Sequence, residues 1–568
     1  MFFRDPLPAW VPKSLSALRH YNSSTFFADA IAGMTVGLVA LPLSMAFAIA
    51  SGLPPQTGIY CAIVTGFLVS LFGGAMTQIG GPTGAFVVVI AGIYAKHGLD
   101  GLYMCTMMAG VMLAIMGLTG LGTAIKFIPR PIVVGFTNGI ALLIASTQLK
   151  DFFGLRVDQV PGEFVARIET LASHALTFSL PETILAAVSL LTIVLFARFV
   201  PKVPGAIVVL FVSTAAVMFL QLPVATIGSR FGGIPAGLPT VHIPSFQPAL
   251  FWTLLGPATT VAMLGAIESL LSAVVADGMT GGERHNSNTE LFGQGIANIV
   301  SPMFGGLPAT GAIARTATNI RSGGKTPVAG MIHSLTLLAV LLAAAPLAKN
   351  VPLSALAAIL MVVAWNMGEW RELSKVFQQT YADIAVWAAT FTLTVFADLT
   401  VAVQFGMILA ALLFIGRIAN TTTVSQVTHD YLRSGLKHIL QDKDIPPYAT
   451  ILRIHGPFLF GSTDKLAEWE ARIPEFPPIV LLRLRNMTAL DATGLHAIEE
   501  FASKLQATNR TMIVCGALPQ PLQLMKRAKF RKVVGGGNVC ADVEQALERA
   551  EAVYKTQGPT REYSLAGE

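Results

Sequence analysis

Apolar positions along the chain fall in long runs separated by short polar or Gly/Pro-rich breaks. Fourteen runs can be marked, near residues 28–50, 57–73, 82–95, 99–122, 131–149, 181–200, 204–222, 251–276, 289–304, 309–320, 326–348, 352–367, 382–398 and 400–416. Most approach the length of a membrane-crossing helix, about 20 apolar residues. Two, 82–95 and 309–320, are too short, and both begin at a Gly/Pro cluster. From Ala30 to Ala95 there is no Asp, Glu, Lys or Arg. A stretch that long without charge cannot be a water-facing surface. The pattern predicts a polytopic α-helical membrane domain over residues 28–417, preceded by a cytoplasmic segment, 1–27.

After Arg417 the pattern changes. Residues 418–447 are polar and predict a linker. Beyond them Ala449–Ile454, Ile479–Leu484 and Met512–Val514 predict strands, and Thr493–Leu505 predicts a helix, with further helical stretches near 519–530 and 541–554. Strands alternating with helices indicate a small α/β domain, here residues 448–556, followed by a tail, 557–568.

Composition agrees with the membrane assignment. Of 568 residues, 53% are hydrophobic and 12% charged, and the mean hydropathy is +0.63. Soluble domains carry about 25% charged residues, so an ordinary cytosolic enzyme is excluded. The net charge of +6 reflects Lys and Arg at span ends rather than a nucleic-acid-binding patch. With the N-terminus cytoplasmic, one side receives Arg4, Lys13, Arg19, Lys126, Arg130, Arg198, Lys202, Arg284, Arg321, Lys325, Arg371, Lys375 and Arg417. The other receives Lys96, Lys150, Arg156, Arg167, Arg230 and Lys349. This bias favours a cytoplasmic N-terminus, and an even number of spans returns the C-terminal domain to the same side. The N-terminal stretch is broken by Pro6, Pro8 and Pro12 and has no signal-peptide core. Cys61, Cys105, Cys515 and Cys540 lack metal-ligand spacing. No cofactor or metal is implied, and no P-loop, zinc spacing or nucleophile–base arrangement points to an enzyme. His285, in a charged loop, reads as solvated.

The most informative feature is an internal repeat. Gly80-Gly81-Pro82-Thr83-Gly84-Ala85-Phe86 returns, with two single-residue insertions, as Gly305-Gly306-Leu307-Pro308-Ala309-Thr310-Gly311-Ala312-Ile313. The segments before each copy also match, ending at Gly52 and Gly278. Two halves of seven segments are implied, about 28–222 and 251–417. An odd number of spans per half turns the second copy upside down. Each motif opens a short helix near mid-membrane, with Thr83 and Thr310 available to cap free N–H groups. Inversion aims both helix N-termini, at Thr83, Gly84 and Ala85 and at Thr310, Gly311 and Ala312, toward one centre. Such ends carry partial positive charge and unsatisfied donors, which makes the gap an anion site. One helix end contributes about 0.3–2 kcal/mol. That does not offset desolvation of a dianion, so a formal cation is needed. Arg315, one turn into the second short helix, supplies it. Glu268, mid-span in the segment leading to the second motif, is the candidate that takes and releases a coupled proton. Importing an anion against an inside-negative potential costs about 2.3 kcal/mol per charge per 100 mV, and each co-imported proton cancels one unit.

These stretches, together with LPLSMAFAIASGLPPQTGIYCAI, GAIESLLSAVVADGMTGGERHNSNTELFGQG and LDATGLHAI, resemble the sulfate permease family of anion transporters over nearly the whole chain. Around Glu268 the likeness is to the bacterial branch that includes a dicarboxylic acid transporter. The resemblance implies fourteen segments in two inverted seven-segment repeats, organised as core and gate domains. It implies a homodimer, elevator-type movement of the core past the gate, and a cytoplasmic STAS-like domain that binds a partner. By position it places Phe47, Phe86, Ala312, Ile313, Ala314 and Arg315 in the pocket. Many relatives have serine where this chain has Ala314, and animal relatives have glutamine at Leu43. By comparison with anti-sigma antagonists, Thr493 is the candidate regulatory phosphorylation position, although a residue at a helix start is ordinarily a cap. A sodium-coupled bicarbonate carrier in the family leaves Na⁺ open beside the proton. The expected function is secondary active, proton-coupled uptake of sulfate, a four-carbon dicarboxylate or bicarbonate across the inner membrane. The alternatives are an uncoupled exchanger or channel, and a membrane-anchored regulator signalling through the STAS-like domain.

Overall fold

The computed structural model describes residues 11–557 apart from 20, 124–128, 158–159, 201–202, 236, 238, 246, 282, 398 and 428–444. Arg4, Lys126, Lys202, most of the expected linker and nearly all of the expected tail lie outside the described residues. The chain divides into two compact units, Met1–Ile408 and Leu409–Glu568.

The first unit is helical. After α1 (Lys13–Leu18) come α2 (Ser23–Ala50), α3 (Pro55–Phe72), α4 (Val87–Leu118), α5 (Arg130–Phe153), α6 (Phe164–Ser173), α7 (Leu180–Phe199), α8 (Gly205–Leu220) and α9 (Ile227–Phe231). The second half carries α10 (Phe251–Thr280), α11 (Ser287–Val300), α12 (Ile313–Arg321), α13 (Val328–Ala348), α14 (Leu353–Met367), α15 (Trp370–Val376), α16 (Tyr381–Phe396) and α17 (Leu399–Thr421), which runs into the second unit. Each of the fourteen apolar runs is found as helix. Runs three and four join as α4 across a break at Gly98, where φ is +67°, a conformation that glycine adopts without steric cost. The short helices α1, α6, α9 and α15 are additional. Among the described residues, eight helices are long and apolar enough to cross a membrane by length and composition.

Local chemistry sets the helix starts. Asn22 accepts from the Thr25 N–H at 2.8 Å to begin α2, and Asn286 accepts from Asn288 and Thr289 to begin α11. Proline stands in the first turn of α3, α5 and α7, where its missing N–H costs nothing.

Packing has a twofold pattern. α2 packs on α13 as α10 packs on the second part of α4. α3 packs on α13 as α11 packs on α4, and α7 packs on α14 as α16 packs on α5. Exchanging first-half for second-half segments maps each pair onto its counterpart. One bundle holds α2–α4 and α10–α13, and the other is built on α5, α7, α8, α14 and α16. Between the halves, β1 (Gly80–Gly81) pairs antiparallel with β2 (Thr310–Gly311), Gly80 opposite Gly311 and Gly81 opposite Thr310. The two copies of the repeated motif therefore meet running in opposite directions, as inversion requires.

The second unit contains a five-stranded sheet in the order β3 (Thr423–Gln426), β4 (Ala449–Phe458), β5 (Ile479–Leu490), β6 (Thr511–Cys515), β7 (Val539–Cys540). β4 to β7 are parallel and β3 is antiparallel to β4. Helices Ala492–Ala507, Pro519–Arg527 and Val543–Gln557 accompany it. Both faces of the sheet are covered by apolar clusters, one around Leu482, Ile498 and Phe501 and the other around Ile451, Leu481 and Ala546. That double burial matches the continuous apolar runs of its strands. The domain boundary differs from expectation: β3 lies inside the stretch read as linker, because four residues on a sheet edge carry too little apolar signal to stand out.

Candidate functional site

Helix α10 is the spine of the site. Gly265, Glu268, Ser269 and Ser272 share one helical face, and that face binds both motifs. Thr83 donates its hydroxyl to Glu268 Oε2 at 3.0 Å. Thr310 donates to the Gly265 carbonyl at 2.9 Å and lies 2.7 Å from the Ser269 hydroxyl. The Gly311 N–H donates to Ser269 Oγ at 3.0 Å, and Ser272 donates to Thr316 Oγ1 at 3.2 Å. Thr316 Oγ1 also accepts from the Ile79 N–H at 3.1 Å, which stitches the second motif to the approach of the first.

These bonds correct one expectation. Neither Thr83 nor Thr310 caps its helix with its side chain; both hydroxyls are turned to α10 instead. The helix-start N–H groups are thereby left without a side-chain cap. In α12 the first intrahelical bond is Thr316 N–H to the Ala312 carbonyl at 2.9 Å, so the N–H groups of Ile313, Ala314 and Arg315 precede it and have no intrahelical acceptor. Ile313 and Ala314 are exposed, and Glu268 keeps part of its surface open.

Arg315 is 2% exposed. Its Nη2 donates to the Pro82 carbonyl at 3.0 Å and to Ser44 Oγ at 3.2 Å. The guanidinium thus crosses from the second motif to the first and to α2, and places its charge behind the two helix starts. No ion pair joins it to Glu268 among the described residues. Gly81 makes the crossing possible: a Cβ there would stand 2.0 Å from Arg315 Nη1.

The remaining expected residues separate into two groups. Gly84 is faced by Phe47 of α2, Ile144 of α5 and Met367 of α14, so the first helix start abuts both bundles. Ala85 and Ala312 are buried beside it and beside α12. Phe86 is fully buried, its ring packed over Gly265, and presents no open face. The resemblance places it in the pocket lining; in this structure its ring stands over Gly265 of α10, beside the first helix start.

Helix α11 holds the same assembly from behind, through residues that sequence reasoning missed. The Glu290 carboxylate, completely buried, accepts from the Gly74 and Ala75 N–H groups at 2.8 and 3.1 Å, from Gln78 Nε2 at 2.7 Å and from Gln294 Nε2 at 3.2 Å. Asn298 clamps Ala309, donating to its carbonyl at 2.9 Å and accepting from its N–H at 2.8 Å. Gln78 runs beside Gly311, where a Cβ would be 2.0 Å from Nε2. The available signal was a lone acid inside an apolar run, the same signal that marked Glu268. His285 is also better placed than expected. It is paired with Asp277 at 2.7 Å and lies 3.1 Å from Ser287 Oγ, rather than free in solvent.

In the second unit, Asp491 is the helix cap. Its Oδ1 accepts from the Gly494 N–H at 2.7 Å and its Oδ2 from the Phe460 N–H at 3.0 Å. Thr493 is exposed as the second residue of that helix, beside a cleft lined by Asp464, His496 and Glu500.

With this geometry in hand, comparison with known proteins is informative. The model of the sulfate permease family matches residues 26–390, and that of the STAS domain matches residues 441–546. The putative sulfate transporter YvdB of Bacillus subtilis is 42% identical over 517 residues, covering 90% of this chain and 96% of that protein. The bicarbonate transporter BicA of Picosynechococcus is 30% identical, covering 92% of this chain and 94% of BicA. The murine Solute Carrier 26 family member A9 anion transporter, solved in an inward-facing state, superposes with a TM-score of 0.84 at 18% identity, over 95% of this chain and 94% of that one. That last likeness concerns the fold.

Proposed function

Because the chain belongs to the sulfate permease family, we propose that it is a secondary active transporter that takes up a small anion together with a proton. The substrate class is sulfate, a four-carbon dicarboxylate or bicarbonate. Relatives of this chain are named for sulfate and for bicarbonate, and the pocket's poverty in hydroxyls at Ala314 and Phe47 suits a carboxylate with an apolar middle.

The observation that carries this reading is the antiparallel meeting of the two motifs at Gly80–Gly311 and Gly81–Thr310, with the Arg315 charge behind it. The anion is held by the N–H groups at Gly84 and Ala85 and at Ile313, Ala314 and Arg315, the pattern expected of helix-terminus sites in transporters. Thr310 and Gly311 fix the second helix start through α10. Glu268 is the coupling group. It is tied to the first motif by Thr83 and open on its other side, so a proton gained or lost there is felt where the anion sits. Transport follows an elevator movement of the α2–α4/α10–α13 bundle past the α5/α14 bundle. The protein works as a homodimer in the inner membrane with both termini cytoplasmic. Thr493 is a phosphorylation position that governs partner binding by the STAS domain, because phosphate at a helix N-terminus is electrostatically favoured.

A second reading has a specific observation behind it. The Thr83 hydroxyl bonds Glu268, and on the same face of α10 the Thr310 and Ser269 hydroxyls meet beside the Gly265 carbonyl; these are oxygen ligands of the kind a hard cation takes. Sodium-coupled bicarbonate uptake would use them. An uncoupled exchanger or channel is the third.

Flux into liposomes separates the three. Sulfate, succinate and bicarbonate are offered under an imposed pH gradient, an imposed Na⁺ gradient, or neither. Accumulation above equilibrium with the pH gradient alone is the expected result. Accumulation only with Na⁺ selects the second reading, and equilibration without accumulation selects the third.

A further inference from the structure

A long stretch of the STAS domain carries charge of one sign only. From residue 501 to residue 541 there is no Asp or Glu, while Lys and Arg occur seven times. Five of the seven crowd into a few consecutive positions: Lys526, Arg527, Lys529, Arg531 and Lys532. All five are exposed. The domain's ion pairs form elsewhere, as in Lys504 with Glu470 and Glu500 and Lys555 with Glu551. Among the described residues, no ion pair joins an acid to any of the five.

These cations sit on a built corner. Helix Pro519–Arg527 ends there and the chain turns into a one-turn helix, Arg531–Val534. The Phe530 N–H donates to the Met525 carbonyl at 3.0 Å and the Lys529 N–H to the Lys526 carbonyl at 3.1 Å, the paired bonds of a Schellman ending. Met525, Phe530 and Val534 are buried, so the turn is pinned from beneath. Lys529 occupies the left-handed position of that ending, with φ at +57°, where glycine is the ordinary residue and a side chain is strained. Helix-end electrostatics accounts for Lys526 and Arg527, which stand in the last turn and complement the dipole. It does not account for Lys529, which lies past the helix end. Nor does it account for Arg531 and Lys532, which open the next helix, where the dipole favours acids. Like charges at this spacing repel one another, so the corner costs the domain stability unless an anionic surface meets it.

We propose that this corner docks on the anionic lipid headgroups of the membrane that carries the protein. Basic clusters of this size beside a bilayer are drawn to acidic lipid. Only Thr422 stands between α17 and β3, so connectivity keeps the domain at the bilayer surface. Lipid phosphate is the anion at highest local concentration there, whereas a soluble acidic protein has to be recruited from dilute solution. A nucleic acid would find no stacking platform, because the one aromatic ring of the corner, Phe530, is buried.

The test is hydrogen–deuterium exchange of the full-length protein in two kinds of nanodisc, one of phosphatidylcholine alone and one that includes about 30% phosphatidylglycerol. Exchange across residues 526–534 is expected to be at least about fivefold slower in the anionic bilayer, and the difference is expected to vanish in high salt, which screens surface charge. The triple variant Lys529→Gln, Arg531→Gln, Lys532→Gln is expected to lose the difference and keep the wild-type melting temperature. Lys529→Gly separates the two properties of its position. It is expected to raise the melting temperature by relieving the left-handed strain, and to weaken the lipid-dependent slowing. Equal exchange in the two bilayers overturns the proposal, as does slowing that survives the triple substitution. Exchange that ignores lipid charge but is slowed by soluble polyglutamate also overturns it, and assigns the corner to an acidic protein.

Discussion

The Thr83 hydroxyl donates to Glu268 Oε2 at 3.0 Å across 185 positions of sequence. The residue that opens the first short helix is therefore bonded to the acid on the helix that leads to the second. Glu268 has no bonded cation among the described residues, so removing its charge leaves no orphaned partner of opposite sign. Glu268→Gln keeps an acceptor for Thr83. The expected outcome is a folded protein that still binds the anion but no longer accumulates it in response to an acid-outside gradient. Measurement is pH-jump uptake beside equilibrium binding. Unchanged acid stimulation would remove Glu268 from the coupling role.

Gly81 is required both by Arg315 and by its own backbone, whose φ is +158°. A methyl group there would sit 2.0 Å from Nη1, and the atom it meets is held at the other end of the guanidinium by Pro82 and Ser44. Overpacking of this kind costs about 1–3 kcal/mol. Gly81→Ala is expected to lower thermal stability by that order and to reduce uptake at least tenfold. Gly92→Ala, where an added Cβ meets nothing within 4 Å, serves as the control and should leave both unchanged.

The repeated motif was legible because Gly and Pro act locally, and its two copies differ by two single-residue insertions and by Phe86 against Ile313. The fourteen runs were legible because a bilayer demands long apolar helices. What the threonines do was not. Capping is a local propensity, and here it lost to acceptors on α10 that come within reach only in the folded bundle. Arg315 and Glu268 stood out as charges in apolar surroundings. Ser44, Gly81 and Gln78 did not, because nothing in their own neighbourhoods announces a partner more than 200 residues away. Glu290 lay in an apolar run read for length, not for the acid inside it.

In the STAS domain, Asp491 bonds both Gly494 and Phe460. Loss of an N-cap of this type costs about 1 kcal/mol. Asp491→Ala in the full chain is expected to speed deuterium exchange at Gly494 and Phe460 while leaving β5 protected. Intact-mass measurement of protein from its native host tests the proposed phosphorylation: an added phosphate that disappears in Thr493→Ala supports the switch, and an unmodified Thr493 under all growth conditions removes it.

Two thiols of the same sheet should react differently. Cys515 and Cys540 are opposite each other on β6 and β7. Cys515 is 1% exposed, and burial pushes its thiol up to about 12. Cys540 is partly exposed, with a smaller upward displacement, also from burial. The thiolate is the reactive form, so at mildly alkaline pH a maleimide is expected to label Cys540 and spare Cys515. Mass mapping of the labelled peptides checks this, and equal labelling would contradict the burial of Cys515.

The most direct test of the whole account is to locate the anion. Selenate, a heavy-atom mimic of sulfate, can be soaked or co-purified with the wild type and with Arg315→Gln and found by its scattering. The account predicts one selenate between the Gly84–Ala85 and Ile313–Arg315 backbone N–H groups in the wild type, and none there in Arg315→Gln. Selenate bound elsewhere in the membrane unit, or bound equally well without the arginine, would contradict it.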